Sequence, residues 1–219
     1  MANRSTANTA QPLKENDRLE PRAVPVQERS RETVNRILET AAELVDEVGV
    51  IGFTTNLLAE RAGIRVRTSY RYFPSKLGIL CALMNHLNDD SVARLMQLSE
   101  LGDPARDWRK LVETWIDDLL KWTREQPGAR FYMGWSSSIP ELLAQQDHLD
   151  DAWATSMIDA MRARGVDLPP KQLYAVCRTF FEALDTMTSL AAFSGHEYSD
   201  EIIQETRHML IRYLEPYLD

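Results

Sequence analysis

No stretch of this chain reaches the roughly 18 uninterrupted apolar residues that a membrane-spanning helix requires, so no membrane partner is expected. The opening residues, MANRSTANTAQPLKENDRLEP, lack an apolar core segment, so no secretory signal is expected either. Cysteine is scarce. Cys81 lies in LGILCALM and Cys177 in YAVCRTFF, and neither belongs to a CxxC or another metal-ligand spacing. Packed, reduced thiols and a cytoplasmic location are the expectation. The histidines, His86, His148, His196 and His208, are scattered, and none forms HExxH. GxSxG, a P-loop, any other Gly-rich phosphate loop and internal repeats are all missing. No catalytic set, metal or cofactor is therefore expected. Sustained apolar–polar alternation is missing too, which leaves no strand from which to build a sheet.

What is present is helical periodicity. Residues 1–28 are polar, contain proline and show no period, which predicts a disordered tail. Arg4, Lys14, Arg18, Arg22 and Arg29 would suit a basic arm tracking DNA, but acidic neighbours dilute them. From Ser30, the positions Val34, Ile37, Leu38, Ala41, Leu44, Val45 and Val48 form one apolar stripe, and Gly49 stands where a cap would end that helix. Thr54 or Thr55 can cap a short helix over 55–62, and Gly63 supplies a sharp turn. A second short helix follows over 65–72. Pro74 stops it, and Ser75 can cap a long helix reaching 98. Beyond the Gly102-Asp103-Pro104 break, helices are predicted over 104–124, 140–164, 171–193 and 200–217, the last capped by Asp200. A short aromatic segment lies at 129–137. The chain is thus predicted to be all-α, with about nine helices: a tail (1–28), a three-helix unit (29–76) and a larger helical unit (77–219).

Charge separates these units. Residues 1–86 carry 12 Lys+Arg against 10 Asp+Glu, whereas 87–219 carry 13 against 23. An acidic second unit repels nucleic acid, so any DNA contact belongs to the first. There, Arg61, Arg65, Arg67, Arg71 and Lys76 fall within sixteen residues that contain no Asp or Glu. Two short helices joined by a tight turn, the second carrying this basic cluster, suit a helix-turn-helix whose second helix enters the major groove. Val66, Tyr70 and Phe73 recur at packing intervals, leaving Arg65, Arg67, Thr68, Ser69 and Arg71 as outward candidates. Arginine can read guanine through paired hydrogen bonds. Tyrosine hydroxyls, Lys76 and Thr55 suit phosphates. The competing reading is a three-helix bundle with a solvated basic face.

The run RILETAAELVDEVGVIGFTTNLLAERAGIRVRTSYRYFPSKLGIL resembles the N-terminal domain of the TetR family of transcriptional regulators, over about residues 31–80. The matching features are Ile37, Ala41-Ala42, Gly49, Thr54-Thr55, Ala59, Ala62-Gly63 and the spaced Tyr70, Phe73 and Lys76. The resemblance implies a DNA-binding domain over 29–76 and a ligand-binding and dimerisation domain over 77–219. It implies a homodimer that pairs through its last two long helices and binds a roughly palindromic double-stranded DNA operator. Tyr70, Tyr72 and Lys76 would touch phosphates, and Arg65, Arg67 and Thr68 would lie nearest the bases. Arg65 stands where the family often has Ser, Arg67 where it often has Gly, and Ser69 where an apolar residue is frequent. The two extra cations imply G-containing half-sites and a strong salt dependence.

All five tryptophans lie beyond residue 107. Trp115, Leu119, Trp122, Phe131, Tyr132, Trp135, Phe181 and Asp185 are candidates to line a pocket for a small, largely apolar or aromatic effector, although any one aromatic could simply fill the core. Glu182 and Asp185 sit on an otherwise apolar helix. They could meet a cationic ligand, pair with Arg178 of a second subunit, or occupy an exposed face. Dimerisation candidates are Phe180, Leu184 and Met187 on one helix and Leu210, Tyr213 and Leu214 on the last. The expected function is a ligand-responsive transcriptional regulator, a repressor released by its effector. The alternative is a helical small-molecule or protein-binding module that reads no DNA sequence.

Overall fold

Eight α-helices and no strand occupy the described residues, in keeping with the periodicity. The computed structural model describes residues 28–135, 139–193, 195 and 197–219, without the side chains of residues 89–97, 135 and 145. The predicted tail lies outside these residues.

Helix α1 (Glu28–Gly52) buries Ile37, Leu38, Ala41, Leu44 and Val45. Gly49 has φ 69° and ψ 170°, a conformation open to glycine and costly for other residues. The predicted stop is therefore a break within a longer helix, with one further turn beyond it. Thr54 Oγ1 accepts the Leu57 N–H at 3.2 Å, so Thr54 rather than Thr55 caps α2 (Thr55–Arg61). The turn after α2 is a Schellman motif: Gly63 at φ 64° donates to the Glu60 carbonyl (3.2 Å) and Ile64 donates to that of Ala59 (2.9 Å). Helix α3 (Val66–Tyr72) follows, and Ser75 Oγ accepts the Gly78 N–H at 3.0 Å to start α4 (Lys76–Leu98).

A 3₁₀ turn (Ser99–Gly102) leads to α5 (Trp108–Glu125). That helix begins later than predicted because Asp107 accepts the Arg109 and Lys110 N–H groups. A π-helical turn (Phe131–Trp135) stands where the short aromatic segment is predicted. Helices α6 (Pro140–Ala163), α7 (Pro170–Phe193) and α8 (Ser199–Leu218) complete the chain. Asp200 lies in the first turn of α8 rather than at its N-cap, which is Tyr198 and makes no side-chain cap hydrogen bond.

The apolar stripes close two cores. The first joins α1, α2 and α3 to the front of α4 through Leu44, Phe53, Leu58, Phe73, Ile79 and Leu83, and it takes in Phe131 and Leu142 from the second half. The second lies among α5, α6, α7 and α8 around Ile116, Met157, Met161, Cys177, Phe180 and Leu210. Burial, with the Glu141 charge adding to it, pushes the Cys81 thiol up to about 11, and burial pushes Cys177 up to about 12. Both remain protonated, unreactive thiols near neutral pH.

This packing corrects the dimerisation candidates. Phe180, Leu184, Leu210 and Leu214 are buried within their own subunit, so they hold α7 and α8 to the rest of the chain. Met187 and Tyr213 are only partly exposed. The large apolar residues these two helices leave exposed are Tyr174, Leu190 and Met209.

Candidate nucleic-acid interface and ligand cavity

Helix α3 has only seven residues, so its seating depends on contacts to both sides. Ser69 is 0% exposed and its hydroxyl donates to the Val66 carbonyl at 2.7 Å. Phe73 and Tyr72 enter the first core beside it. Ser69 is thus corrected from an outward candidate to an anchor. Its hydroxyl is tolerated because it is spent on the helix's own backbone. Tyr72 at 6% exposure is likewise corrected from phosphate contact to core residue, with the Arg71 guanidinium 5.7 Å from its ring centre.

Arg65, Arg67 and Arg71 are exposed and Thr68 is partly exposed. Tyr70 is 41% exposed, and its hydroxyl shares a 3.1 Å hydrogen bond with the Thr55 hydroxyl. That bond ties α3 to the start of α2 and puts two hydroxyls side by side at the surface, a pair that suits a phosphate. Lys76 is spent differently from the expectation. Its ammonium donates to the Val50 carbonyl at 2.7 Å and lies 5.9 Å from the Phe53 ring centre, and burial lowers its pKa. One of its three donors therefore ends the last turn of α1. Arg61 is also committed, to Glu47 at 3.0 Å.

The second half holds a cavity with about 740 Å³ of space between its lining atoms, part of it continuous with solvent. Of the predicted ligand residues, Trp115, Leu119, Trp122, Tyr132, Phe181 and Asp185 line it. Phe131 does not: it is 0% exposed in the first core, and this corrects its assignment. The Trp135 side chain lies outside the described residues. Two aromatic contacts shape the walls, an edge-on one of Trp122 with Tyr132 (5.4 Å, 77°) and a tilted one of Trp153 with Phe181 (5.5 Å, 60°).

Sequence reasoning missed Asp118, Gln146, Asp150 and Trp153 in this lining. Asp150 and Trp153 lie at i, i+3 on α6, a helix-face signal, but their meeting with α5 and α7 is tertiary. Glu182 pairs with Arg178 of its own subunit at 2.8 Å, four residues away, so no second subunit is needed to neutralise it. Arg178 also meets Asp150 at 3.0 Å and Asp147 and Asp151 at 3.5 Å. Burial raises the Asp150 carboxyl above its ordinary value, against the lowering pull of the Gln146 hydrogen bond and Arg178.

A polar contact joins the two halves. Asp46 on α1 accepts the Gly128 N–H at 2.7 Å. Burial raises the Asp46 carboxyl, against the pull of the Gly128, Phe131 and Arg130 amides and the Arg130 charge. Gly128 has φ 86°, and a Cβ there would lie 3.2 Å from both Ala42 and Leu87 side chains. The loop that carries Phe131 into the first core and Tyr132 to the cavity is therefore seated directly on α1.

The comparisons agree with this layout. Residues 37–83 match the family model described as bacterial regulatory proteins, tetR family, and residues 107–214 match the one described as tetracyclin repressor-like, C-terminal domain. The HTH-type transcriptional regulator EthR of Mycobacterium tuberculosis is 27% identical over 169 residues, covering 74% of this chain and 76% of that protein. The class A tetracycline repressor from transposon 1721 in Escherichia coli is 33% identical over 101 residues, 43% of this chain and 47% of that protein. Among solved structures, a TetR-family transcriptional regulator from Streptomyces coelicolor superposes with a TM-score of 0.63 at 26% identity, over 85% of this chain and 99% of that one.

Proposed function

The chain belongs to the TetR family of bacterial transcriptional regulators, and from that premise we propose that it is a cytoplasmic, ligand-responsive repressor that binds a palindromic operator as a homodimer. Arg65, Arg67, Thr68 and Arg71 read the major groove, with the Thr55 and Tyr70 hydroxyls on phosphate. The observation that carries this reading is the division of labour on α3: Ser69, Tyr72 and Phe73 are spent on seating the helix, which leaves its arginines exposed. An exposed guanidinium on a rigid helix suits base or phosphate contact. Dimerisation uses the outward faces of α7 and α8, where Leu190 and Met209 are exposed. The DNA-binding domain runs from α1 into α3 and the ligand-binding and dimerisation domain from α4 to the C-terminus. Among the described residues no helix is long and apolar enough to cross a membrane.

A small effector enters the aromatic cavity and displaces the π-helical turn, whose Tyr132 lines the cavity and whose Phe131 is packed in the first core. Through the Gly128–Asp46 contact, that movement shifts α1 and the spacing of the paired reading helices. A ligand acts this way only by binding the two spacings unequally.

Selection of the full chain against a randomised duplex library at about 150 mM salt tests the DNA reading. A palindromic consensus with half-sites one turn apart, about 34–36 Å or a multiple, supports a dimeric reader. A folded protein that enriches no sequence overturns it and leaves the binding-module alternative.

A further inference from the structure

We propose that the charges between α5 and α8 form a register key. They fix where α8 lies along α5, and so set the face that α8 offers to a second copy of this chain. This rests on reading the outward sides of α7 and α8 as the dimer surface.

Three sets of ion pairs join the two helices, and they run in opposite order along them. Arg109 meets Glu215 at 3.2 Å and also Asp219, Asp117 meets Arg207, and Arg124 lies 3.9 Å from Asp200. Trp108 adds an indole N–H to Asp219 at 3.1 Å. Successive rungs are eight and then seven residues apart on α5 (109, 117, 124) and on α8 (215, 207, 200), close to two turns, so they share one side of each helix. Their signs alternate. Basic, acidic and basic positions on α5 face acidic, basic and acidic ones on α8.

Apolar packing alone does not fix that register. Ile203, Thr206, Leu210 and Leu214 bury the inner side of α8 at intervals of three or four residues. Such a stripe meets α5 about equally well after a slip of one turn. The charges do not, because a one-turn slip leaves them unpaired. A two-turn slip in either direction sets Arg207 against Arg109 or Arg124, and Asp117 against Asp200 or Glu215. Like charges brought face to face penalise the wrong alignment.

The opposite side of α8 depends on this alignment. Met209 is exposed there, two residues beyond Arg207 and so about 200° around the helix. A one-turn slip would carry Met209 about 5.4 Å along the subunit, while Leu190 on α7 stayed in place. A two-fold interface is self-complementary, so both copies would carry the mismatch.

The middle rung is the one to reverse. Arg207 is the most enclosed of the three arginines, at 21% side-chain exposure against 38% for Arg109 and 44% for Arg124. Dimer dissociation of the full-length protein is measured by sedimentation across a dilution series, with circular dichroism to confirm folding. Asp117→Arg is expected to weaken the dimer at least about tenfold, although it lies on α5 and outside the proposed dimer surface. The double variant Asp117→Arg/Arg207→Asp rebuilds the rung with its signs exchanged. The native register remains the one that pairs all three rungs, so the dimer returns to within about threefold of the parent. Asp159→Arg, the same charge change at an exposed position of α6, leaves the dimer unchanged. Should Asp117→Arg fail to fold, recovery of fold and dimer in the double variant decides alone. A folded Asp117→Arg protein that dimerises like the parent, an equal loss with Asp159→Arg, or a double variant no better than the single one would overturn the inference. A parent that stays monomeric overturns it together with the dimer reading. A dimer that shows loss and rescue but enriches no palindrome keeps the key and loses the operator reading.

Discussion

Arg65 at the N-cap of α3 and Arg67 and Arg71 on it stand exposed with no carboxylate partner among the described residues, whereas Arg109, Arg178 and Arg207 in the second half are each tied to acids. Arg164 is spent in a third way, on the carbonyls of Leu101, Asp103 and Arg106. The same side chain therefore serves two purposes. In the second half it closes the subunit's own acids and helix ends; on α3 it is left for something outside the subunit. Net charge alone would suggest only that one half is more basic. What distinguishes an external contact from a scaffold is whether the charge is already satisfied.

The largest effect sharpens the second half as scaffold. Phe180→Ala is expected to destabilise the subunit by about 3–5 kcal/mol, because a fully buried ring leaves a cavity that helices cannot collapse around. In a chain of this size that lowers the melting temperature by roughly 6–20 °C. The loss should be the same at low and high protein concentration. A loss that fades as concentration rises would return Phe180 to the dimer interface.

The next pair tests the contrast itself. Arg67→Ala should cost about 1–3 kcal/mol of operator binding per half-site and leave the melting temperature unchanged. Arg178→Ala should do the reverse. It leaves four acids without their shared cation, so it should lower thermal stability while sparing the DNA consensus. If both variants fall equally in both assays, the two halves do not use arginine differently. Asp46→Ala addresses their junction. It removes the acceptor of the Gly128 N–H and should cost about 1–3 kcal/mol, with faster amide exchange at Gly128. Exchange as slow as in the parent would show that packing alone holds the loop on α1.

Much of this arrangement was legible in the sequence. The helices fall close to their predicted spans because caps and breakers are local: Thr54, Gly63, Pro74 and Ser75 act within four residues of themselves. Facing was less legible. A seven-residue helix makes about two turns, so Ser69 and Tyr72 could not be assigned to the inner side from spacing alone. Phe180 and Leu184 were ambiguous because an apolar stripe looks the same whether it meets its own subunit or a second one. Six of the eight proposed cavity residues do line it, since the aromatic supply was concentrated, while Asp118 and Trp153 required knowing how α5 and α6 lie against α7. The Asp46–Gly128 contact joins residues 82 positions apart and has no local signature.

The smallest predicted effect separates two adjacent threonines that looked equivalent in sequence. Thr54 accepts the Leu57 N–H and caps α2, so Thr54→Ala should cost about 1 kcal/mol of stability through an orphaned backbone donor. Thr55 instead meets Tyr70 across the turn, in a partly exposed bond that water can replace. Thr55→Val keeps the shape and should lower stability by no more than about 0.5 kcal/mol, within the range of ordinary surface substitutions. Its larger consequence belongs to DNA, because it removes a hydroxyl from the proposed phosphate pair and should weaken binding similarly across sequences. Chemical denaturation of both variants beside operator titrations decides the matter. Should Thr55→Val lower stability as much as Thr54→Ala, the Thr55–Tyr70 bond is part of the scaffold, and the surface facing DNA narrows to the arginines and Thr68.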